Sequence, residues 1–228
     1  MLKASVLVVS RTPELLNRLL QSLDQAYSGS ADSIEVIASW NGSAADESRL
    51  KPGRLPFAIA QRDTYHFAGN MNGLARQAKG DILVFVNDDL IVDPGSIDAA
   101  LERLTSRSEV GIVGARLRTS TGQLAHAGIH FTSHGSPYHQ LERFADAHHP
   151  ANARERTVPA VTGAFFAIRR DDFLKLELAE TFKVCGEDVL LSLQTRSLLH
   201  KQVLYCPAMS GVHDAESTRH QFEEQQGN

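Results

Sequence analysis

DILVFVNDD, residues 81–89, is the stretch whose reading decides the fold. Ile82, Leu83, Val84, Phe85 and Val86 follow one another without a polar break. A strand with one wet face alternates apolar and polar residues. An unbroken apolar run of strand length is what a parallel strand needs when helices cover both of its faces. The run ends on Asn87-Asp88-Asp89, and in open α/β sheets ligands gather outside the carboxyl ends of the strands. Asp88 and Asp89 therefore stand where a site is expected.

The same pattern extends towards the N-terminus. Residues 5–9 (SVLVV) form a β-branched run of strand length. Thr12 suits an N-cap, and Pro13 suits the first helical position, where its missing N–H costs nothing. Leu15, Leu16, Leu19, Leu20 and Leu23 then recur at helical spacing. Residues 34–38 read as a second strand, ending in the loop Trp40-Asn41-Gly42-Ser43, residues 57–60 as a short third strand, and residues 70–78 as a helix. On the other side, Asp93-Pro94 repeats the cap-then-proline start, and Ile97, Ala100, Leu101 and Leu104 give that helix an apolar face. Residues 110–115 (VGIVGA) read as another buried strand. Alternation of strand and helix over residues 1–115 predicts an α/β fold with a single, mostly parallel central sheet flanked by helices.

Beyond residue 115 the character changes. Residues 116–157 hold few long apolar runs and contain His126, His130, His134, His139, His148 and His149. Their spacing fits no single helical face, so a zinc cluster is not expected; they read as a mostly solvated, irregular excursion across the mouth of the sheet, with His126 or His139 lining a cleft. Residues 158–168 return to core-like composition, residues 188–199 to helical composition, and residues 203–206 make a last short strand. The polar residues 221–228 read as a frayed tail or linker. Residues 1–220 are expected to form one domain.

Bulk properties limit the function. A formal net charge of −4 and a pI near 6.2 argue against a nucleic-acid-binding surface, which is normally basic. No apolar run approaches the ~18 residues that a membrane span requires. Cys185 and Cys206 are too few and too far apart for a disulfide framework or a zinc ribbon, and a reduced, cytoplasmic setting is expected. No GxGxxG and no GxxxxGK[ST] occurs, so dinucleotide and P-loop cradles are excluded.

Three groups of residues carry candidate chemistry. Asp88 and Asp89 repel each other on one tight turn, and a divalent cation bridging to a diphosphate would resolve the repulsion; a plain helix-capping turn explains them as well. Glu187-Asp188 precedes the helix-like VLLSLQTRSLL. The helix macrodipole alone favours carboxylates there, and the functional alternative is that Asp188 is a general base. His213 lies past the last strand, as a surface residue or as a neutral imidazole ligand.

Taken together, these signals resemble glycosyltransferase family 2, whose catalytic domain is the GT-A fold, and in particular its bacterial surface-polysaccharide, rhamnosyltransferase-like branch. Residues 5–16 look like the family's opening strand and Pro-Glu-Leu-Leu helix, and residues 40–43 look like its Asp-Asn-x-Ser loop. Phe67, Asn72, Gly73, Gly80 and Asp81 are similar to the stretch that leads into its aspartate motif, here Asn87-Asp88-Asp89. Residues 124–128, 161–170, 187–188 and 207–213 match its later motifs in order. The resemblance implies a nucleotide-sugar-binding half (1–115) and an acceptor-binding half (116–220). It implies that Ser10, Arg11, Trp40, Asn41, Asn72, Asn87 and Asp88 bind the nucleotide sugar, that Asp89 and His213 hold Mn2+ or Mg2+, that Asp188 is the general base of an inverting transfer, and that Glu187 orients the acceptor. Implied partners are a UDP-, dTDP- or GDP-linked donor and a glycan or lipid-linked glycan acceptor, at the inner face of the cytoplasmic membrane. Two departures stand out. Trp40 replaces an aspartate that accepts a hydrogen bond from a uracil-type base, which an indole cannot do. Leu190 and Gln194 replace the usual acidic residue and arginine of the acceptor-side helix. A nucleotidyltransferase and a non-catalytic sugar- or partner-binding module are the alternative readings.

Overall fold

The computed structural model describes residues 2–214, apart from Leu141, Arg143, Lys183 and Val184; the polar tail at 221–228 lies outside the described residues. In chain order the elements are β1 (Ala4–Ser10), α1 (Pro13–Ala26), β2 (Ile34–Trp40), α2 (Ala44–Glu47), β3 (Phe57–Gln61), α3 (Phe67–Gln77), β4 (Ile82–Val86), β5 (Leu90–Val92), α4 (Ser96–Ser106) and β6 (Val110–Arg118). They continue with β7 (Leu124–His126), β8 (Ile129–Phe131), β9 (Pro137–His139), β10 (Arg156–Thr157), β11 (Phe165–Arg169), α5 (Arg170–Leu176), α6 (Glu187–Ser197) and β12 (Gln202–His213).

Among the described residues the central sheet runs β10-β12-β6-β11-β4-β1-β2-β3, with β5 added to β12 and β7 to β6. Strands β4, β1, β2 and β3 are parallel, as expected from the first half of the chain. The second half makes the sheet mixed, because β11 enters antiparallel to both β4 and β6. Successive side chains on β1 and β4 serve opposite layers. Val6, Val8, Val84 and Val86 pack with Leu16, Leu19 and Leu23 of α1 and with α4. Leu7, Val9, Leu83 and Phe85 pack with Met71 and Leu74 of α3 and with Phe166 and Phe173. Each such side chain contributes roughly 1.5–3 kcal/mol by leaving water, so the unbroken apolar run of β4 is accounted for on both faces. Phe85 stacks on Phe166 with centroids 4.4 Å apart.

Three boundaries differ from expectation. Helix α3 begins at Phe67 because His66 caps it: its Nδ1 accepts from Gly69 N–H at 3.0 Å while Asn70 Oδ1 accepts from His66 N–H at 2.8 Å. Asp93-Pro94 forms the turn before α4, and Gly95, at φ 74°, takes the N-cap position. Strand β12 does not stop at Cys206; it bulges over Pro207, Ala208 and Met209 and resumes at Ser210. Pro207 cannot donate to a ladder, and a bulge is where a strand accommodates it. After the bulge β12 pairs with β5 as well as β6, setting His213 opposite Leu90. The stretch 116–157 is more ordered than expected: it contains β7, β10 and a separate two-stranded sheet of β8 and β9.

Two polar clips fasten these layers. The Asp93 carboxylate receives the Arg118 guanidinium fork, one arm at 2.8 Å, and the Ser210 hydroxyl at 2.6 Å. Asn72, expected at the nucleotide sugar, is instead buried: its Nδ2 donates to Leu178 O at 2.9 Å and to Glu180 Oε1 at 3.0 Å, and its Oδ1 accepts from Leu178 N–H at 2.9 Å. These three bonds tie α3 to the segment after α5.

Both clips are testable. Partial burial would raise the Asp93 carboxyl, but the bonds from Arg118 and Ser210 outweigh it and hold the group below its usual range. Its stabilisation is therefore present above the ordinary Asp pKa of ~3.9 and is lost as pH falls through the depressed folded value. Asp93→Asn is expected to cost on the order of 1.5–3 kcal/mol at pH 7, and the gap to wild type should close in urea titrations taken below about pH 4. Asn72→Ala orphans the buried N–H and C=O of Leu178, at about 1–3 kcal/mol each. The expected result is a large drop in stability, with nucleoside-diphosphate binding by the folded variant unchanged.

Candidate active site

At the carboxyl end of β4 the chain turns sharply. Asn87 N–H donates to Ala164 O at 2.9 Å, and Leu90 N–H returns to Asn87 O at 3.3 Å. The turn holds Asp88 and Asp89 beside the end of β1. Ser10, almost fully buried, donates its hydroxyl to Asp88 Oδ2 at 2.6 Å. Burial nevertheless pushes the Asp88 carboxyl up to about 6; the Ser10 bond opposes the shift and the charge of Asp89 reinforces it. The longer β12 carries His213 to the same place, with Nε2 3.2 Å from Asp89 Oδ1 and both side chains at most 14% exposed.

A second carboxylate pair stands at the N-terminus of α6. Gly186, at φ 118°, adopts the left-handed backbone that glycine tolerates and starts the helix. Glu187 and Asp188 occupy its first turn, where the helix dipole favours them. Gly163 N–H donates to Asp188 Oδ2 at 2.6 Å, and Val189 N–H to Oδ1 at 2.8 Å. Burial dominates these bonds, so the Asp188 carboxyl is raised above its ordinary value. Glu187 is raised too, first by burial and then by Asp188, with its own backbone amide opposing.

The two acidic groups are joined through one short loop. Thr162 N–H donates to His126 Nε2 at 3.4 Å, Gly163 N–H to Asp188, and Ala164 O accepts from Asn87 N–H. Three consecutive residues thus tie β7, α6 and the acidic turn together.

Tyr65, on the loop between β3 and α3, completes the cleft. It is 43% exposed, and the Arg11 guanidinium lies 6.0 Å from its ring centroid. Its phenol is raised by burial and by Asp88, opposed by Arg11, and raised further by Glu187 and Asp89. Sequence reasoning missed Tyr65, since a single aromatic within the polar QRDTYH gives no periodic or motif signal.

The remaining expected residues divide. Ser10, Arg11, Asn87, Asp88 and Asp89 come together. Asn41 flanks them: its N–H donates to Ser10 O at 2.8 Å, and its Oδ1 is buried without a hydrogen-bond partner. Trp40 does not offer a face for stacking; it is 2% exposed, packed in the α1-side layer, with Nε1 donating to Ser43 O at 3.1 Å. His126, expected in a mostly solvated loop, is 1% exposed, because Gly128 N–H and Thr162 N–H both bind its Nε2 and draw the ring inward. His134, His148 and His149 are exposed as expected.

The profile of the family described as "Glycosyltransferase like family 2" matches residues 6–227. The O-antigen biosynthesis protein RfbC of Myxococcus xanthus is 34% identical over 136 residues, which are 57% of this chain and 11% of that protein; the chain thus spans about a tenth of that relative's length. Among solved structures, the mannosyltransferase PcManGT from Pyrobaculum calidifontis, in complex with GDP-Man and Mn2+, has a TM-score of 0.67 at 15% identity, over 98% of this chain and 60% of that one. GalNAc-T7 with UDP, GalNAc and Mn2+ has a TM-score of 0.67 at 14% identity, over 93% of this chain and 44% of that one. At these identities the likeness establishes the fold, which is GT-A. With the family's profile matched over nearly its whole length, the chain belongs to glycosyltransferase like family 2.

Proposed function

We propose that this chain transfers a sugar from a nucleotide-diphosphate donor to a hydroxyl of a glycan or glycolipid acceptor, with inversion and with the help of a divalent ion. The observation that carries the reading is the loop 162–164, which joins the Asn87-Asp88-Asp89 turn on one side to Asp188 on the other. Donor chemistry needs the first group and acceptor chemistry the second.

The chemistry of the donor set supports a divalent ion. Asp89 offers a carboxylate oxygen and His213 an imidazole nitrogen at one shielded point. Asp88 beside them is a buried carboxyl whose ionisation is disfavoured by burial and by Asp89, and a cation in the turn would relieve both effects. Among the described residues no group of three or more His, Cys, Asp or Glu is arranged to hold a metal. Asp89 and His213 would be the protein's donors, with diphosphate and water oxygens completing the shell. When bound, the ion would neutralise charge developing on the departing diphosphate.

Asp188 acts on the acceptor side. Burial raises its carboxyl, which makes it a stronger base than an exposed aspartate, and amides on both oxygens hold its rotamer. It takes the proton of the acceptor hydroxyl as that oxygen bonds to the anomeric carbon, while the carbon–oxygen bond to the diphosphate breaks and its electrons leave with the nucleotide. Glu187 orients the acceptor. Asn41, with its unsatisfied buried Oδ1, is placed beside Ser10 to accept a base N–H that Trp40 cannot accept. A role in surface-polysaccharide assembly follows the relative's O-antigen description. No helix among the described residues is long and apolar enough to cross a membrane, and we place the reaction in the cytoplasm, with the acceptor presented at the membrane's inner face.

Two experiments test the division of labour. Asp89→Ala is expected to abolish turnover and the manganese-dependent thermal stabilisation by UDP, dTDP or GDP, while the fold survives; full activity in excess chelator would overturn metal dependence. Asp188→Asn is expected to lower the transfer rate by ~10²–10⁴-fold and leave calorimetric donor binding near wild type. Unchanged donor binding with no turnover in the wild-type chain, across donors and acceptors, would instead favour a binding module.

A further inference from the structure

His126 and His139 belong to no role assigned so far, yet their geometry leaves only one arrangement of hydrogens. His126 is buried at the end of β7, and its Nε2 accepts from Gly128 N–H at 3.2 Å and Thr162 N–H at 3.4 Å. Backbone amides can only donate, so Nε2 carries a lone pair and the neutral ring must bear its hydrogen on Nδ1. That Nδ1 lies 3.0 Å from Nδ1 of His139, with the rings edge to face at 72°. One hydrogen is shared between the two nitrogens, and it comes from His126. Nδ1 of His139 therefore accepts, and the hydrogen of a neutral His139 ring stands on Nε2. A proton added to Nδ1 of His139 would set two N–H groups against each other. A proton added to Nε2 of His126 would expel two amides.

The same ring touches the loop that holds Asp188. Thr162 and Gly163 contribute consecutive peptide units: the N–H of the first binds His126, and the N–H of the second binds Asp188 Oδ2 at 2.6 Å. On its other side His126 holds His139, one of the groups whose charge acts on the Asp188 carboxyl.

We infer that His126 and His139 are a tautomer-locked pair of positioning residues that fixes the Asp188 carboxylate through the Thr162–Gly163 segment. This rests on the reading of Asp188 as the base. Burial, then His139, His213 and Arg156, push His126 well below the usual histidine range, in keeping with its neutral form.

The test has a spectroscopic and a kinetic arm. In the 15N-labelled full chain, His126 should show a hydrogen on Nδ1 and none on Nε2, and His139 the reverse. Kinetics are read as nucleoside-diphosphate release from UDP-, dTDP- and GDP-hexoses with Mn2+ and simple alkyl glycosides as acceptors. His126→Leu should lower kcat by ~10–100-fold, the scale seen when the supporting partners of a functional ligand are removed, with donor KM unchanged. His126→Gln, whose amide can both accept and donate, should recover most of that loss and also serves if the leucine variant fails to fold. In an Asp188→Asn background His126→Leu should cost nothing further. A hydrogen on Nε2 of His126, a wild-type kcat in His126→Leu, or multiplying losses in the double variant would overturn the inference. A wild-type rate in Asp188→Asn alone, with the tautomers as stated, would instead overturn the base assignment, and the positioning role would fall with it.

Discussion

Phe165 lies opposite Val86, and the site depends on that register. Strand β11 enters antiparallel between β4 and β6, so the residues just before it run back past the end of β4. Ala164 O then meets Asn87 N–H, and Gly163 and Thr162 fall within reach of Asp188 and His126. Strand pairing has a side-chain period of two, so a slip of one residue would turn Phe166 away from its stack on Phe85 and carry the loop off its partners. The apolar layer on the α3 side therefore fixes the polar geometry at the sheet's edge. Burial supplies the free energy, and hydrogen bonds supply the aim.

What the register gathers is charge that would not assemble unaided. The loop 162–164 ties the Asp88–Asp89 turn to the Glu187–Asp188 pair, and three of the four carboxyls are raised, burial being the leading cause in each. An acidic cleft of this kind disfavours its own ionised state and so attracts cations and protons. The two ends answer that demand differently. The Asp88–Asp89 turn has an imidazole beside it, whereas Asp188 is clasped by backbone amides on both oxygens.

Much of this was legible in the sequence, for identifiable reasons. The apolar runs at 5–9, 81–86 and 110–115 became buried strands because helices cover both faces of the sheet, and Thr12-Pro13 did open a helix. The meeting of strand ends was legible too, since topology alone brings Ser10 and Asp88 together. Residues whose placement hangs on a single tertiary hydrogen bond were not. Asn72 lies within a recognisable stretch, but a chain segment reached only through the fold claims its amide. Trp40 ends β2, and the α1-side layer takes the indole. His126 sits among histidines that are solvated, and only the two amides aimed at it pull it inside. The antiparallel entry of β11 was invisible because an apolar run of strand length carries no direction.

The extended β12 shows why a proline that ends a pattern need not end an element. Pro207 interrupts the apolar run after Cys206, and the strand was expected to stop there. Instead Pro207, Ala208 and Met209 bulge out, and the ladder shifts from Cys206 opposite Ala115 to Ser210 opposite Arg116. A bulge bends its strand and increases its twist, and here the bent end reaches β5, the short strand that leaves the acidic turn. Gly211 permits that approach: a Cβ there would lie 2.8 Å from Ile91 O. The pairing of His213 with Leu90 then sets an imidazole next to Asp89 with no flexible linker between ligand and scaffold. A histidine on a loose tail could reach the same aspartate only by giving up conformational entropy each time it did so. On a laddered strand that ordering is already complete when the sheet has formed.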